Sequence, residues 1–263
     1  MDVSVIIVNY KTKALTCDCI RSISGKTTGL EYEIIVVDNN SDDGSVETIR
    51  NLEVPVVVIA NDTNQGFGKA NNLGVRRARG KYVFFLNSDT VLKNNAIKLL
   101  YDYYEKYRIL NGENTHYVLG TNLTDKNGRV INSGGDLPDI RHMVIRSVYM
   151  YLPWLLKARR NINPVRYSGA ERDVGFVNGA DMFMDREFFV ELGGFDSKIF
   201  MYCEDADLCL RASRKGAKCH IISEPRIVHL ESQSSGYSKN RRKIEMKSNM
   251  YYIRKNLIFK EIG

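Results

Sequence analysis

The sequence predicts an α/β protein built on a mostly parallel, doubly wound sheet. Three observations carry this. Four strand-like segments alternate with segments of helical periodicity in the first half of the chain. Val3–Val8 (VSVIIV) and Val83-Phe84-Phe85-Leu86 are almost unbroken apolar runs, as in strands buried on both faces. The second and fourth strands end abruptly in Asp38-Asn39-Asn40-Ser41 and Asn87-Ser88-Asp89, at the sheet edge where open α/β proteins bind ligands.

Val3–Val8 is followed by a helix around Leu15–Ser24, in which Leu15, Cys19 and Ile23 share a face. Glu33–Val37 is the second strand. Ser41 or Asp42 is expected to cap the next helix, with Val46 and Ile49 turned inward. Val56–Ala60 is the third strand. Gly66–Arg79 reads as a helix whose inner face (Phe67, Ala70, Gly74, Ala78) is mostly small, allowing close approach to a sheet, with Arg76, Arg77 and Arg79 outward. Tyr82–Leu86 is the fourth strand. No GxGxxG follows the first strand and no GxxxxGKS/T occurs, so neither a standard dinucleotide fold nor a P-loop is indicated. The Asn64-Gln65-Gly66-Phe67-Gly68 turn could present backbone N–H groups to an anion.

Beyond Asp89 a helix over about Asn94–Tyr107 has Leu99, Leu100 and Tyr103 inward. Tyr117–Leu123 and Arg129–Asn132 read as strands around Asp125-Lys126-Asn127-Gly128, so the sheet becomes mixed. Leu137–Val165 is apolar and aromatic, bracketed by Arg141, Arg146, Lys157, Arg159 and Arg160. Val174–Val177 and Met182–Met184 flank Asn178-Gly179-Ala180-Asp181. A Gly193–Asp196 turn precedes a helix over Glu204–Lys215, then short strands Lys218–Ile222 and Arg226–Leu230, and a basic helix over about Arg241–Lys255.

The 263 residues suffice for one large α/β domain or two small ones. A net charge of +7 favours anionic partners: phosphorylated small molecules, acidic lipid headgroups or nucleic acid. Five cysteines without CxxC spacing indicate neither a disulfide framework nor a zinc site, and a reducing cytosol is the expected location. Met1-Asp2 leads straight into a strand, so no signal peptide is expected. No apolar run reaches the roughly 20 residues that span a bilayer.

Two constellations could carry chemistry. A lone aspartate such as Asp89 caps a helix more often than it binds a ligand, and the same ambiguity holds for Asp38. Glu204-Asp205-Ala206-Asp207 places three carboxylates in one helical turn. The macrodipole and an i,i+4 pair of Asp207 with Arg211 account for two of them. A carboxylate at that helix N-terminus is expected to be held ionised, as a general base must be. A single histidine such as His229 is more often structural than a metal ligand.

In this order VSVIIVNYK (Val3–Lys11), VVDNNSDDGS (Val36–Ser45), NQGFGKANNLG (Asn64–Gly74), YVFFLNSDT (Tyr82–Thr90), NGADMFM (Asn178–Met184) and GGFDSKIFMYCEDADLCLR (Gly193–Arg211) resemble family 2 glycosyltransferases of the GT-A fold, most closely the rhamnosyltransferase-like branch. The resemblance implies one GT-A domain over 1–263: a nucleotide-sugar half (1–110), an acceptor and catalytic half (111–240) and a basic C-terminal helix (241–263). It implies inverting transfer of a sugar, rhamnose at the level of the branch, from a nucleoside diphosphate sugar to a hydroxyl of a glycan or lipid-linked acceptor in cell-surface polysaccharide synthesis. By the same resemblance Asp205 is the catalytic base and Glu204 its supporting acid. Val8, Asn9, Tyr10, Asp38, Asn40, Gly66, Phe67, Asn71, Asn87 and Ser88 serve the nucleotide, and Asn178, Gly179, Ala180 and Asp181 form a donor and acceptor loop. Asp89 and His229 hold a divalent cation, Mn²⁺ or Mg²⁺. Asn87 departs from the family pattern, which has an acid there, leaving the metal one carboxylate fewer. No nucleic-acid partner is implied, and the implied location is cytoplasmic or peripheral on the inner face of the membrane. Leu137–Val165 and the C-terminal helix fit a membrane surface or a buried helical insert equally well. The rival readings are a nucleotidyltransferase, which would carry a glycine-rich basic loop in place of Asn9–Thr12, and a noncatalytic sugar-nucleotide or membrane-surface binding protein.

Overall fold

The computed structural model describes residues 1–112, 114–138, 169–230 and 241–258. Most of Leu137–Val165 lies outside the described residues. Strands β1 (Val3–Asn9), β2 (Tyr32–Asp38), β3 (Val57–Ala60) and β4 (Tyr82–Asn87) alternate with helices α1 (Lys13–Lys26), α2 (Ser45–Arg50) and α3 (Phe67–Val75), as the hydrophobic pattern predicts. The chain continues through β5 (Thr90–Leu92), α4 (Ala96–Asn111), β6 (Tyr117–Thr121), β7 (Gly134–Gly135), β8 (Arg172–Val174), β9 (Phe176–Val177) and β10 (Asp181–Asp185). Then follow α5 (Arg186–Glu191), α6 (Glu204–Arg214), β11 (Lys218–Ile222), β12 (Ile227–His229) and α7 (Arg241–Ile253), with a π-helical turn at Arg254–Ile258.

Eight strands form one sheet in the order β3-β2-β1-β4-β10-β6-β11-β8. β3, β2, β1 and β4 are mutually parallel, β10 runs antiparallel to both β4 and β6, and β8 runs antiparallel to β11. The predicted change to a mixed sheet after β4 is therefore present. The apolar runs are continuous because both faces are covered. Val3, Val5, Ile7, Tyr82, Phe84 and Leu86 join a core with α1 and α4, while Ile6, Val83 and Phe85 face a second core with α5 and α6. On α3 the small face is needed: a Cβ at Gly74 would sit 2.5 Å from Ile6 Cγ2.

Three expectations shift. The third helix stops at Val75, short of Arg79. α4 buries Ala96, Ile97, Leu100 and Tyr104, one position away from the predicted Leu99 and Tyr103 at two of its turns. Arg129–Asn132 makes no strand; around the Asp125–Gly128 turn only the Thr124↔Val130 bridge forms. Among the described residues no helix is long and apolar enough to cross a membrane, and no disulfide joins the five cysteines.

Candidate active site

The carboxyl ends of β1, β2 and β4 lie side by side, and their exits are tied together by a hydrogen-bond network of hydroxyls, an amide and the Asp38 carboxylate. Asn9 and Asp38 are register partners at the ends of β1 and β2. Asn9 Nδ2 donates to Asp38 Oδ1 (2.5 Å) and to Ser41 Oγ (3.0 Å). Ser41 donates its hydroxyl to Asp38 Oδ1 (2.5 Å) and its backbone N–H to Asp38 Oδ2 (2.9 Å). Ser41 therefore belongs to this network and does not cap α2. That helix begins at Ser45, where the Asp43 carboxylate accepts from the Ser45 N–H at 3.0 Å, so Asp42 is not its cap either. Asn9 Oδ1 accepts from the hydroxyls of Thr12 and Thr16, each at 2.8 Å, and Thr12 Oγ1 lies 2.9 Å from Ser88 Oγ. The loops bend sharply here: Lys11, Asn40 and Asp42 all have positive φ. Val8 and Tyr10 flank Asn9 half-buried, and Asn40 is exposed. Asn71 is buried within α3, its amide donating to Phe67 O at 3.1 Å.

β4 ends in Asn87, and Asp89 is buried just beyond it. β12 pairs antiparallel with β5, setting His229 opposite Thr90, and Leu230 N donates to Asp89 O at 2.8 Å. That pairing brings His229 Nε2 to 3.2 Å from Asp89 Oδ1 and 3.4 Å from Asn87 Nδ2. Among the described residues no three His, Cys, Asp or Glu side chains are grouped to hold a metal ion by themselves.

The second acidic constellation sits across the same edge. Phe200 O accepts from Phe67 N at 2.9 Å, and a Cβ at Gly66, whose φ is +84°, would lie 2.2 Å from that oxygen. Only glycine fits there. Tyr202 and Cys203 follow, both with positive φ, and α6 starts at Glu204. Glu204 is buried and its Oε2 has no hydrogen-bond partner. Its pKa is pushed up to about 8, first by burial and then by the neighbouring Asp205 carboxylate. Asp205 accepts from Ala206 N (Oδ1, 2.8 Å) and Gly179 N (Oδ2, 3.2 Å), but burial still raises its pKa. The backbone donors at the helix end favour the charged form as expected, but desolvation outweighs them, so the proton affinity of Asp205 is raised. Asp207, fully buried, makes the predicted pair with Arg211 at 2.8 Å.

The Asn178–Asp181 loop joins the two constellations. Asn87 N donates to Ala180 O at 2.9 Å, Ala180 N donates to Asn178 Oδ1 at 3.0 Å, and Gly179 holds Asp205. A Cβ at Gly179 would lie 3.1 Å from the Phe67 ring and 3.8 Å from Asp205 Cβ. Asp181 itself turns into the sheet, fully buried, where Oδ2 accepts from Thr121 N (2.7 Å) and Thr121 Oγ1 (2.6 Å). Burial pushes its pKa up to about 7, against the two Thr121 donors and the nearby His229.

The structure thus brings Asn9, Asp38 and Ser88 into one network, Asn87, Asp89 and His229 into a second, and Gly66, Phe67, Gly179 and Asp205 into a third. Sequence reasoning missed Thr12, Thr16 and Thr121 and read Ser41 only as a helix cap; a single hydroxyl carries no spacing signal. Chemically, the edge offers a carboxylate–imidazole pair and two adjacent carboxyl groups, Glu204 and Asp205, both of raised proton affinity.

The profile described as "Glycosyl transferase family 2" matches residues 4–155. The chain is 24% identical over 218 residues to an N-acetylglucosaminyl-diphospho-decaprenol L-rhamnosyltransferase of Mycobacterium tuberculosis, covering 77% of this chain and 68% of that protein. It is 28% identical over 173 residues to rhamnosyltransferase WbbL of Escherichia coli, covering 62% and 60% respectively. Among solved structures, GalNAc-T7 with UDP, GalNAc and Mn²⁺ superposes with a TM-score of 0.61 at 17% identity, covering 88% of this chain and 44% of that one, and the shared fold is the GT-A architecture.

Proposed function

The chain belongs to glycosyl transferase family 2, and on that premise we propose that it is an inverting enzyme moving a sugar from a nucleoside diphosphate donor to a hydroxyl of a lipid-linked or glycan acceptor in cell-surface polysaccharide synthesis. The observation that carries this reading is Asp205, held by Gly179 at the start of α6 beside Phe67 with its proton affinity raised. A base must capture the acceptor proton as the oxygen attacks, and a carboxylate of raised pKa does so with more driving force near neutral pH. The acceptor oxygen bonds to the anomeric carbon, the bond from that carbon to the diphosphate breaks, and the proton passes to Asp205. Glu204, pushed up to about 8, stays largely protonated at neutral pH and leaves the negative charge of the pair to Asp205.

In this reading Asp38, Asn9, Tyr10, Val8 and Asn40 border the base and ribose, with Gly66, Phe67, Asn71 and Ser88 on the nucleotide side. Asp89 and His229 would hold Mn²⁺ or Mg²⁺ with diphosphate oxygens and water, because a hard carboxylate oxygen and an imidazole nitrogen converge there. The cation would offset the charge growing on the departing diphosphate. Rhamnose is favoured as the sugar by the two relatives named for rhamnosyl transfer. The first of these also supports a lipid-linked acceptor, and the exposed Arg241, Arg242, Lys243 and Lys247 of α7 suit an approach to an anionic membrane surface.

The test is nucleoside diphosphate release from a panel of donors, with and without Mn²⁺ and lipid-linked acceptors, followed by product detection. Acceptor-dependent release with one donor is the expected result. Binding of donors without any transfer would instead support a noncatalytic sugar-nucleotide protein.

A further inference from the structure

α7 is rich in Arg and Lys on its exposed side, and its other face grips the loop that leads into the acid pair. Ser248 and Asn249 are buried, and so are Tyr252 and Ile253, which pack with Ala206. Ser248 Oγ donates to Met201 O at 2.7 Å, and Cys203 Sγ donates to Asn249 Oδ1 at 3.0 Å. The Arg241 guanidinium lies over the Tyr202 ring, 5.6 Å from its centroid. Each of three successive loop residues, Met201, Tyr202 and Cys203, is thus held by a different residue of α7.

That loop needs holding. Tyr202 and Cys203 have φ of 70° and 67°, a left-handed conformation that L-residues rarely adopt and that persists only where surroundings over-determine it. The preceding residue is fixed from the opposite side, where Phe200 O accepts from Phe67 N. A second tie lies one turn further into α6. Lys255 Nζ bridges Asp196 Oδ2 (2.7 Å) and Asp207 Oδ1 (2.8 Å), and Asn256 Nδ2 donates to Asp207 Oδ1 at 2.9 Å.

We infer that α7 is the positioning element of the acid pair: Ser248 and Asn249 hold the Met201–Cys203 turn in its left-handed form and thereby set where the first turn of α6, and Asp205 with it, faces the cleft. Ser248 and Asn249 are positioning residues in this account, since neither touches Asp205. The kinetic part rests on the proposed transferase reading, whereas the conformational part does not.

The experiment uses the full-length chain with Ser248→Ala, Asn249→Ala, the double variant and Ser248→Thr. Backbone hydrogen exchange over residues 201–206 is expected to quicken about tenfold in the double variant, because two hydrogen bonds that hold the turn are gone. Turnover should fall about tenfold while affinity for UDP stays within about twofold, and Ser248→Thr should behave like the parent because it keeps the hydroxyl. Unchanged exchange over 201–206 in a folded double variant overturns the inference, as does a loss of UDP affinity equal to the loss of turnover. Should the double variant fail to fold, the single variants carry the same exchange test with about a threefold effect each. Faster exchange in a protein that shows no sugar transfer with any donor would uphold the positioning role and reject the transferase reading, so the two failures are distinguishable.

Discussion

On the β1–β2 side of the cleft Asp38 is almost wholly buried and accepts three hydrogen bonds, from Asn9 Nδ2, the Ser41 hydroxyl and the Ser41 backbone N–H. On the α6 side Glu204 is about as buried, yet its Oε2 has no partner and its pKa rises to about 8. Burial alone therefore does not decide what a carboxylate does; the donors around it do. The first wall spends its polar groups on one another and becomes a fixed frame. The second wall leaves Glu204 Oε2 unpartnered beside Asp205, whose oxygens take only backbone donors, which suits groups that meet a proton or a ligand. Asp207 makes the contrast within a single helical turn: three positions from Glu204, it is fully buried and takes Arg211, Lys255 and Asn256.

The largest expected effect lies at the second wall. Asp205→Asn should lower turnover by roughly 10²–10⁴, the usual worth of a positioned base, while donor affinity stays close to the parent's. Steady-state rates beside a nucleotide titration read both quantities, and near-normal turnover would remove Asp205 from the role. Asp207→Ala should act differently despite its proximity. It leaves Lys255 and Arg211 without their buried partner and should cost about 3–5 kcal/mol of stability, visible in urea denaturation. Loss of activity with unaltered stability would blur the distinction between the two aspartates.

At the frame, Asn87→Asp adds a carboxylate beside Asp89 and His229. Mn²⁺-dependent donor affinity should tighten by about tenfold if this corner holds the cation, one added hard ligand being worth on the order of 1–2 kcal/mol. No change across a metal titration would count against the assignment. Glu204→Gln acts through pH. The folded-state pKa of Glu204 is raised, so the native protein binds more protons than the unfolded chain between about pH 4.5 and about pH 8. Its contribution to stability is present below about pH 4.5 and is lost as pH rises through about 8. Glu204→Gln should remove that slope, gaining stability relative to the parent as pH rises across the window. Parallel stability–pH curves for the two proteins would show that Glu204 is not held protonated.

Much of the frame was legible in the residues. The almost unbroken runs Val3–Val8 and Val83–Leu86 determined that both faces of the sheet would be covered, because such runs cannot leave a face in water. Asp38 and Asp89 were legible as strand-exit acids for the same reason, since the strand's end is where apolar pattern gives way. The Asp207–Arg211 pair followed from helical spacing. The roles of hydroxyls were not legible: Ser41 looks like a helix cap in one dimension and becomes a ligand of Asp38 only when β1 and β2 pair.

What the tertiary structure alone decided is the meeting of parts far apart in the chain. His229 reaches Asp89 through the β5–β12 pairing, Gly179 reaches Asp205 across the sheet edge, and α7 folds back on Met201 and Cys203. The sequence by itself determined the sheet, its buried faces and the acids at its carboxyl edge, since these follow from local periodicity. The ionisation of Glu204 and Asp205 was decided by folding, since desolvation depends on what the rest of the chain packs around a carboxylate and no local pattern records it.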